Sequence, residues 1–302
     1  MPVQLPRWQE AFLQRNQLPR TYLSYAQQWF EPLAEALTAH QNSAGRPMLV
    51  VVNGSQGSGK STVCDYLRSL LADLGRRVVS LSLDDFYLTR SQRAELASTV
   101  HPLLATRGVP GTHDMVLLNE TLDGLLGCVG ESGAVAIPRF DKASDDRRAP
   151  VDWDRSDAPV DLVLLEGWCL GALPQSEASL AEPVNSLERD EDSQGLWRAY
   201  ANAALARDFE PLYRRVDQWV MLCAPSFECV YQWRLQQEQK LLQRTNGSGG
   251  RIMNAAQVAR FIQHYERLTR QCLEHLPQRV DYLYRLDDQR GISALQRRDE
   301  LS

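Results

Sequence analysis

Gly54-Ser55-Gln56-Gly57-Ser58-Gly59-Lys60-Ser61-Thr62 is the stretch on which the reading of the fold turns. It fits the pattern G-x-x-x-x-G-K-[ST], a loop whose glycines let backbone N–H groups point inward around a polyphosphate. In that pattern Lys60 brings a mobile positive charge to the β- and γ-phosphates, and the Ser61 hydroxyl is placed to ligate Mg²⁺. The flanks agree. Met48-Leu49-Val50-Val51-Val52 precedes the loop as an apolar run suited to a buried parallel strand. Val63, Leu67, Leu70, Leu71 and Leu74 follow at helical spacing, and Gly75 marks a stop. Strand, glycine loop and helix N-terminus together make an anion site. Residues Gly54, Ser55, Gln56, Gly57, Ser58, Gly59, Lys60, Ser61 and Thr62 are therefore expected to hold a nucleoside triphosphate.

Working outward, the 302-residue chain has room for one large α/β domain or two small ones. With 43% hydrophobic and 24% charged residues it has the composition of a globular protein rather than a disordered one. A net charge of −5 and the lack of a basic run leave no footprint for nucleic acid or an anionic membrane. Cys64, Cys128, Cys169, Cys223, Cys229 and Cys272 show no C-x-x-C spacing and mostly sit in apolar stretches. Reduced buried thiols are expected, not disulfides or zinc. The first residues lack a basic region followed by an apolar core, and no apolar run reaches membrane-spanning length. A cytoplasmic protein is the expectation.

A helical extension over 1–45, with Tyr22, Ala26, Trp29, Leu33 and Leu37 as its packed stripe, precedes a domain over 46–302. In that domain apolar runs ending at Leu83, Leu165, Leu222 and Leu286 alternate with helical patterns. A short strand at 134–138 reads as an edge because of Pro138. The βαβ alternation predicts an α/β fold, a mostly parallel sheet flanked by helices on both faces, with ligands at the strand carboxyl ends. A long helix over about 227–244 runs into the glycine-rich segment 246–250, and Asn254 can cap the helix that follows. Residues 174–195, rich in Glu and Asp, read as a surface excursion with the composition of a disordered segment.

Three acids sit where the rule for such sheets places a site: Asp84 and Asp85 past the second strand, and Glu166 closing an apolar run. Phosphoryl transfer from ATP to a hydroxyl needs Mg²⁺, cations on the moving group and a carboxylate to take the hydroxyl proton. Glu166 resembles a Walker-B acid, so Ser61 with Glu166 or Asp85 is the expected Mg²⁺ set. Asp84 and Asp85 compete for the role of base, because strand neighbours face opposite ways. The plainer reading of both is a capped turn. The charged loop 139–148 offers Arg139, Lys142, Arg147 and Arg148 for an anionic acceptor, and Arg107 and His113 lie in a second glycine-bearing loop. His113 taken alone reads as a structural hydrogen-bonding group. Arg234 and Glu238 are i,i+4 partners, either on a solvated face or on a lid over about 227–253 that brings Arg234 or Lys240 to the phosphates. No Asn-Lys-x-Asp tetrad is present, which argues against a GTPase switch.

These blocks resemble a known family. Ser82-Leu83-Asp84-Asp85-Phe86-Tyr87, Arg107-Gly108 with Gly111-Thr112-His113-Asp114, Ile137-Pro138-Arg139-Phe140-Asp141-Lys142, Leu165-Glu166-Gly167-Trp168 and Trp233-Arg234-Leu235-Gln236 are together similar to the D-glycerate 3-kinases of plant and fungal type. That family belongs to the phosphate-loop kinases with uridine kinase, pantothenate kinase and phosphoribulokinase, and the likeness spans roughly 48–290. The resemblance implies a phosphate-loop kinase fold with a helical lid, ATP and Mg²⁺, and a small hydroxy acid as acceptor. It implies Asp84 as general base, Glu166 as the metal-associated acid and Arg234 as a lid arginine. Arg107, His113, Asp114, Arg139 and Lys142 are the implied acceptor-binding residues. The loop after Lys142 is shorter than the family's version. Another acceptor, or an ATP-binding regulatory protein that transfers nothing, stays open beside D-glycerate.

Overall fold

The computed structural model describes residues 5–128, 133–244 and 253–298. Helices α1 (Arg7–Asn16) and α2 (Tyr22–Ala44) lead into β1 (Met48–Gly54), the glycine loop, α3 (Lys60–Asp73) and β2 (Val78–Ser82). Next come α4 (Arg90–Thr99), α5 (Met115–Leu125), β3 (Ala134–Ile137), β4 (Phe140–Asp141), β5 (Asp146–Arg147), β6 (Asp154–Asp157) and β7 (Leu162–Gly167). Then α6 (Glu177–Ala181), α7 (Ser186–Glu191), α8 (Leu196–Ala204) and α9 (Glu210–Tyr213) precede β8 (Gln218–Cys223). They are followed by α10 (Phe227–Arg244), α11 (Ala255–His275), β9 (Tyr282–Leu286) and β10 (Ile292–Arg297).

Six strands form one sheet in the order β10-β9-β8-β1-β7-β2, and every neighbouring pair is parallel except β9 with β10. This is the mostly parallel, helix-flanked sheet that the alternation predicts. β1 is buried along its whole length. Val50 and Val52 pack with α1, α2 and α3 on one face, and Leu49 and Val51 pack with α5 and α11 on the other. A strand covered on both faces needs a continuous apolar run, which is why residues 48–52 do not alternate. Each such side chain contributes about 1.5–3 kcal/mol through burial. The register matters for the site. Glu166 on β7 lies level with Val52 of β1 and with Ser82 of β2. The glycine loop, Asp84 and Glu166 thus emerge at one end of the sheet.

Three features differ from the sequence reading. The strand at 134–138 stands outside the main sheet, where β3 pairs with β6 in a two-stranded ribbon. β10 adds an antiparallel edge that no alternating pattern announces. Residues 174–195 contain α6 and α7, and Glu188 and Asp192 are buried at 0% and 1% exposure. Arg267 Nε and Nη2 donate to Glu188 at 2.8 and 2.6 Å, and Arg198 Nη1 donates to Asp192 at 3.0 Å. Acids that look solvated in the sequence are neutralised by an arginine 79 positions away and one six away, a pairing that composition does not reveal.

The N-terminal helices are fastened to the phosphate-loop unit. Asn16 and Arg15 donate to Asp65 of α3 at 2.6 and 3.1 Å, and Tyr284 of β9 donates to the Trp29 carbonyl at 3.0 Å. Cys64, Cys169, Cys223 and Cys272 are buried free thiols. Among the described residues no helix is long and apolar enough to cross a membrane.

Candidate active site

The loop is held in its phosphate-binding shape by two glycines. Gly57 (φ +81°) and Gly59 (φ +93°) occupy the left-handed region that L side chains rarely adopt, and Gly59 is the N-cap of α3. A Cβ added to Gly57 would lie 2.9 Å from Cβ of Trp233, so the loop also needs glycine to let α10 approach. Inside the loop, Ser55 Oγ, Gln56 Oε1 and Ser58 Oγ are buried without a hydrogen-bond partner. Beneath it, Ser61 Oγ donates to Glu166 Oε1 at 2.9 Å, and Lys60 Nζ lies 3.7 Å from Glu166 Oε2. Glu166 is 5% exposed, and its Oε2 accepts no hydrogen bond. Open acceptors beside a hydroxyl and an ammonium fit a Mg²⁺-bound triphosphate, because Mg²⁺ is held by one or two protein oxygens plus phosphates. Ser61 and Glu166 are the residues that fit it.

The loop opens onto a cleft of about 570 Å³ lined also by Asp84, Lys142, Glu166 and Arg234. Asp84 and Asp85 fall in a tight turn after β2, and they part company there. Asp84 Oδ2 accepts from Lys142 Nζ at 2.7 Å, and Oδ1 accepts from the Tyr87 hydroxyl at 2.9 Å. Burial pushes the Asp84 carboxyl up, but the charges of Lys142 and Lys60 and the two hydrogen bonds outweigh it. The carboxyl is held well below its usual range. Asp85 turns away from the cleft lining, accepting from Arg139 Nη1 at 2.7 Å and from the Phe140 N–H at 3.1 Å. Its carboxyl is pushed up by burial, against the pull of the Phe140 N–H and Arg139.

Of the acceptor candidates, Lys142 reaches the cleft lining and the other four do not. Arg107 is paired with Asp145, and Arg139 is shared between Asp85 and Asp154. Asp114 caps α5 by accepting the Leu117 N–H at 3.1 Å, and it takes Arg147 Nη2 at 2.9 Å. His113 stacks on Tyr87 at 4.6 Å and meets the edge of Phe209 at 5.9 Å. Both its ring nitrogens are buried without a partner, and burial pushes its pKa down to about 4. Its ring packs behind Tyr87, the residue that holds Asp84, and neither nitrogen is hydrogen-bonded to a protein group. Arg234 lines the cleft, paired with Glu238 and lying 5.4 Å from the Phe261 ring centroid. The Lys240 side chain and the 246–250 segment of the expected lid lie outside the described residues. Sequence reasoning missed Arg290, which also lines the cleft from the turn between β9 and β10, and carries no local motif to betray it.

A Zeta toxin family profile matches residues 33–91, the span from α2 through the glycine loop to Asp84 and the start of α4. The chloroplastic D-glycerate 3-kinase of Arabidopsis thaliana is 29% identical over 227 residues, covering 72% of this chain and 46% of that one. The uncharacterized kinase mug58 of Schizosaccharomyces pombe is 35% identical over 248 residues, covering 79% of this chain and 82% of that one. The chain belongs to this family of phosphate-loop kinases, which includes D-glycerate 3-kinases of plants and fungi. As a member of the family it is an ATP-dependent kinase. The fold agrees: D-glycerate 3-kinase of Cryptococcus neoformans superposes with a TM-score of 0.73 at 26% identity, over 89% of this chain and 98% of that one.

Proposed function

We propose that this kinase transfers the γ-phosphoryl group of ATP to the primary hydroxyl of D-glycerate, giving 3-phospho-D-glycerate. The observation that carries the reading is the placement of Asp84, ionised and fixed by Lys142 and Tyr87, in the same cleft as Lys60 and Glu166. A cleft that offers a phosphate cradle, a carboxylate and a half-exposed ammonium suits an acceptor with one hydroxyl and one negative charge. Asp84 orients the attacking hydroxyl and receives its proton. Lys60 leaves Glu166 for the β- and γ-phosphates, and Arg234 faces the transferring group. Lys142 is the cation placed to hold the acceptor carboxylate. Ser61 and Glu166 would hold Mg²⁺, which would supply charge neutralisation for the phosphates during transfer. Phosphoryl transfer has a loose transition state that asks for position and charge more than for strong base catalysis, so a carboxylate of depressed pKa is adequate. The names of the plant and fungal relatives support D-glycerate as the acceptor.

The test is acceptor-stimulated ADP release with D-glycerate, uridine, pantothenate and ribulose 5-phosphate compared at equal concentration. D-Glycerate is expected to give the highest kcat/KM. A higher value for another compound reassigns the acceptor, and no stimulation by any hydroxyl compound in a broad panel removes the phosphotransfer reading.

A further inference from the structure

Arg234 lines the cleft from α10, and its neighbour fixes the backbone there. Trp233 is buried, donates through Nε1 to the Asp288 carbonyl at 2.7 Å and packs against Gly57 of the phosphate loop. A tethered backbone does not place a guanidinium, because a long arginine side chain keeps many rotamers open. Three contacts restrict this one. Nη2 donates to Glu238 Oε1, one helical turn further on. The guanidinium carbon lies 5.4 Å from the ring centroid of Phe261 on α11, within cation–π range. Nη1 reaches Gln237 Oε1 only at 3.4 Å, a long contact that a stronger acceptor can displace, and Gln237 is itself a cleft residue.

Glu238 is the unusual member of this set. It is 6% exposed and does not line the cleft. An i,i+4 pair on a solvated helix face stabilises little, but a carboxylate taken out of water is costly to keep unless its oxygens are matched. Both are matched here. Oε1 takes Arg234, and Oε2 accepts the Met253 N–H at 3.1 Å. Met253 stands directly before Asn254, the N-cap of α11. One buried acid therefore joins Arg234 of α10 to the start of the helix that also supplies Phe261. The packing of the two helices has other fastenings. Arg270 of α11 donates to Glu228 of α10 at 2.9 Å and lies 5.0 Å from the Phe227 ring centroid. What Glu238 adds is a fixed direction for the guanidinium.

We propose that Glu238 is a positioning residue for phosphoryl transfer: it holds the Arg234 guanidinium against Phe261, with Nη1 left for the transferring group. This rests on the role proposed above for Arg234. A cation aligned before the nucleotide arrives needs no reorganisation when charge develops on the moving group. Glu238 touches neither ligand and acts only through the arginine.

The test is a double-mutant cycle on kcat, measured by coupled ADP release at saturating MgATP with the acceptor of highest kcat/KM. Arg234→Ala should lower kcat about a hundredfold. Glu238→Ala should lower it about tenfold or more while KM for ATP stays within about threefold, as misplacement of a charge predicts. The double variant should lie within about twofold of Arg234→Ala. Glu238→Gln keeps an acceptor for the Met253 N–H and a neutral one for Arg234, and should return kcat to within about fivefold of wild type. Where Glu238→Ala lowers the urea midpoint, the cycle is read with Glu238→Gln, whose few-fold loss should vanish beside Arg234→Ala. Losses that multiply in the double variant overturn the inference, because Glu238 then acts on the fold and not through Arg234. Wild-type kcat in Glu238→Ala also overturns it and leaves Arg234 in its role. Full turnover in Arg234→Ala removes that role and the inference together, and shows itself with Glu238 intact.

Discussion

Replacing Asp84 and Asp85 separately by Asn tests the division of labour between two adjacent carboxylates. In Asp84→Asn the Tyr87 hydroxyl keeps an acceptor, but the carboxylate proposed to take the acceptor's proton is gone and the Lys142 pair is broken. Removing a positioned general base costs roughly 10²–10⁴ in rate, or about 3–5 kcal/mol in activation free energy. The Lys142 side chain is 62% exposed, so the broken pair adds about 1 kcal/mol or less. In Asp85→Asn the Phe140 N–H keeps its acceptor and Arg139 keeps Asp154. One partly exposed charge pair is lost, worth about 1 kcal/mol of stability and a few-fold at most in kcat. Coupled ADP release at saturating ATP and acceptor gives kcat, and urea unfolding reports the stability of each variant. Full turnover in Asp84→Asn would refute the assignment. So would a loss beyond a hundredfold in Asp85→Asn with an unchanged unfolding midpoint. Because the Asp84 carboxyl is held well below its usual range, it stays ionised from pH 8 down to pH 5 and contributes no fall in kcat across that window.

Three further outcomes follow from particular contacts. The folded His113 stays neutral down to about pH 4 while the unfolded chain takes a proton near pH 6.5, so stability falls as pH drops between those values. The loss is about 2 kcal/mol between pH 7 and pH 5, and the unfolding free energies of wild type and His113→Phe from denaturant titrations should change by amounts that differ by about that much over this interval. Gly57→Ala combines a left-handed backbone with a 2.9 Å approach to Trp233, and should weaken MgATP binding tenfold or more in a calorimetric titration. Glu188→Gln leaves the buried Arg267 guanidinium without its counter-charge and should lower stability by about 3–5 kcal/mol in urea unfolding.

How much of this is legible in the sequence depends on distance along the chain. The glycine loop is nine contiguous residues, and its neighbours supply the strand and helix that confirm it, so sheet and phosphate site follow from local pattern alone. Asp84 and Asp85 are found at once, but local pattern does not tell them apart and only the family resemblance singles out Asp84, because the groups that separate them, Lys142 and Arg139, lie 58 and 54 positions away. Three of the acceptor candidates lie off the cleft lining for the same reason. Arg107, Arg139 and Asp114 look available as letters, but each is committed to another part of the chain, and only the folded structure reveals which cations are already matched. Arg290 is invisible for the opposite reason. A single cleft residue in a turn far from every motif has no spacing to recognise.

The hairpin of β4 and β5 stands apart from the six-stranded sheet and is fastened across its length by charges, Arg139 to Asp85, Lys142 to Asp84 and Arg147 to Asp114. The phosphate loop, by contrast, is anchored in a parallel ladder of backbone hydrogen bonds. On the proposed assignment, the acceptor side and the nucleotide side are therefore built of different material. Raising ionic strength should act first on the half-exposed Lys142–Asp84 pair and less on the more buried Arg139–Asp85 and Arg147–Asp114 pairs. Where the hairpin holds the acceptor, as proposed above, it is the replaceable part: rewriting it would retarget the enzyme to a new alcohol without disturbing the strands that carry the phosphate loop.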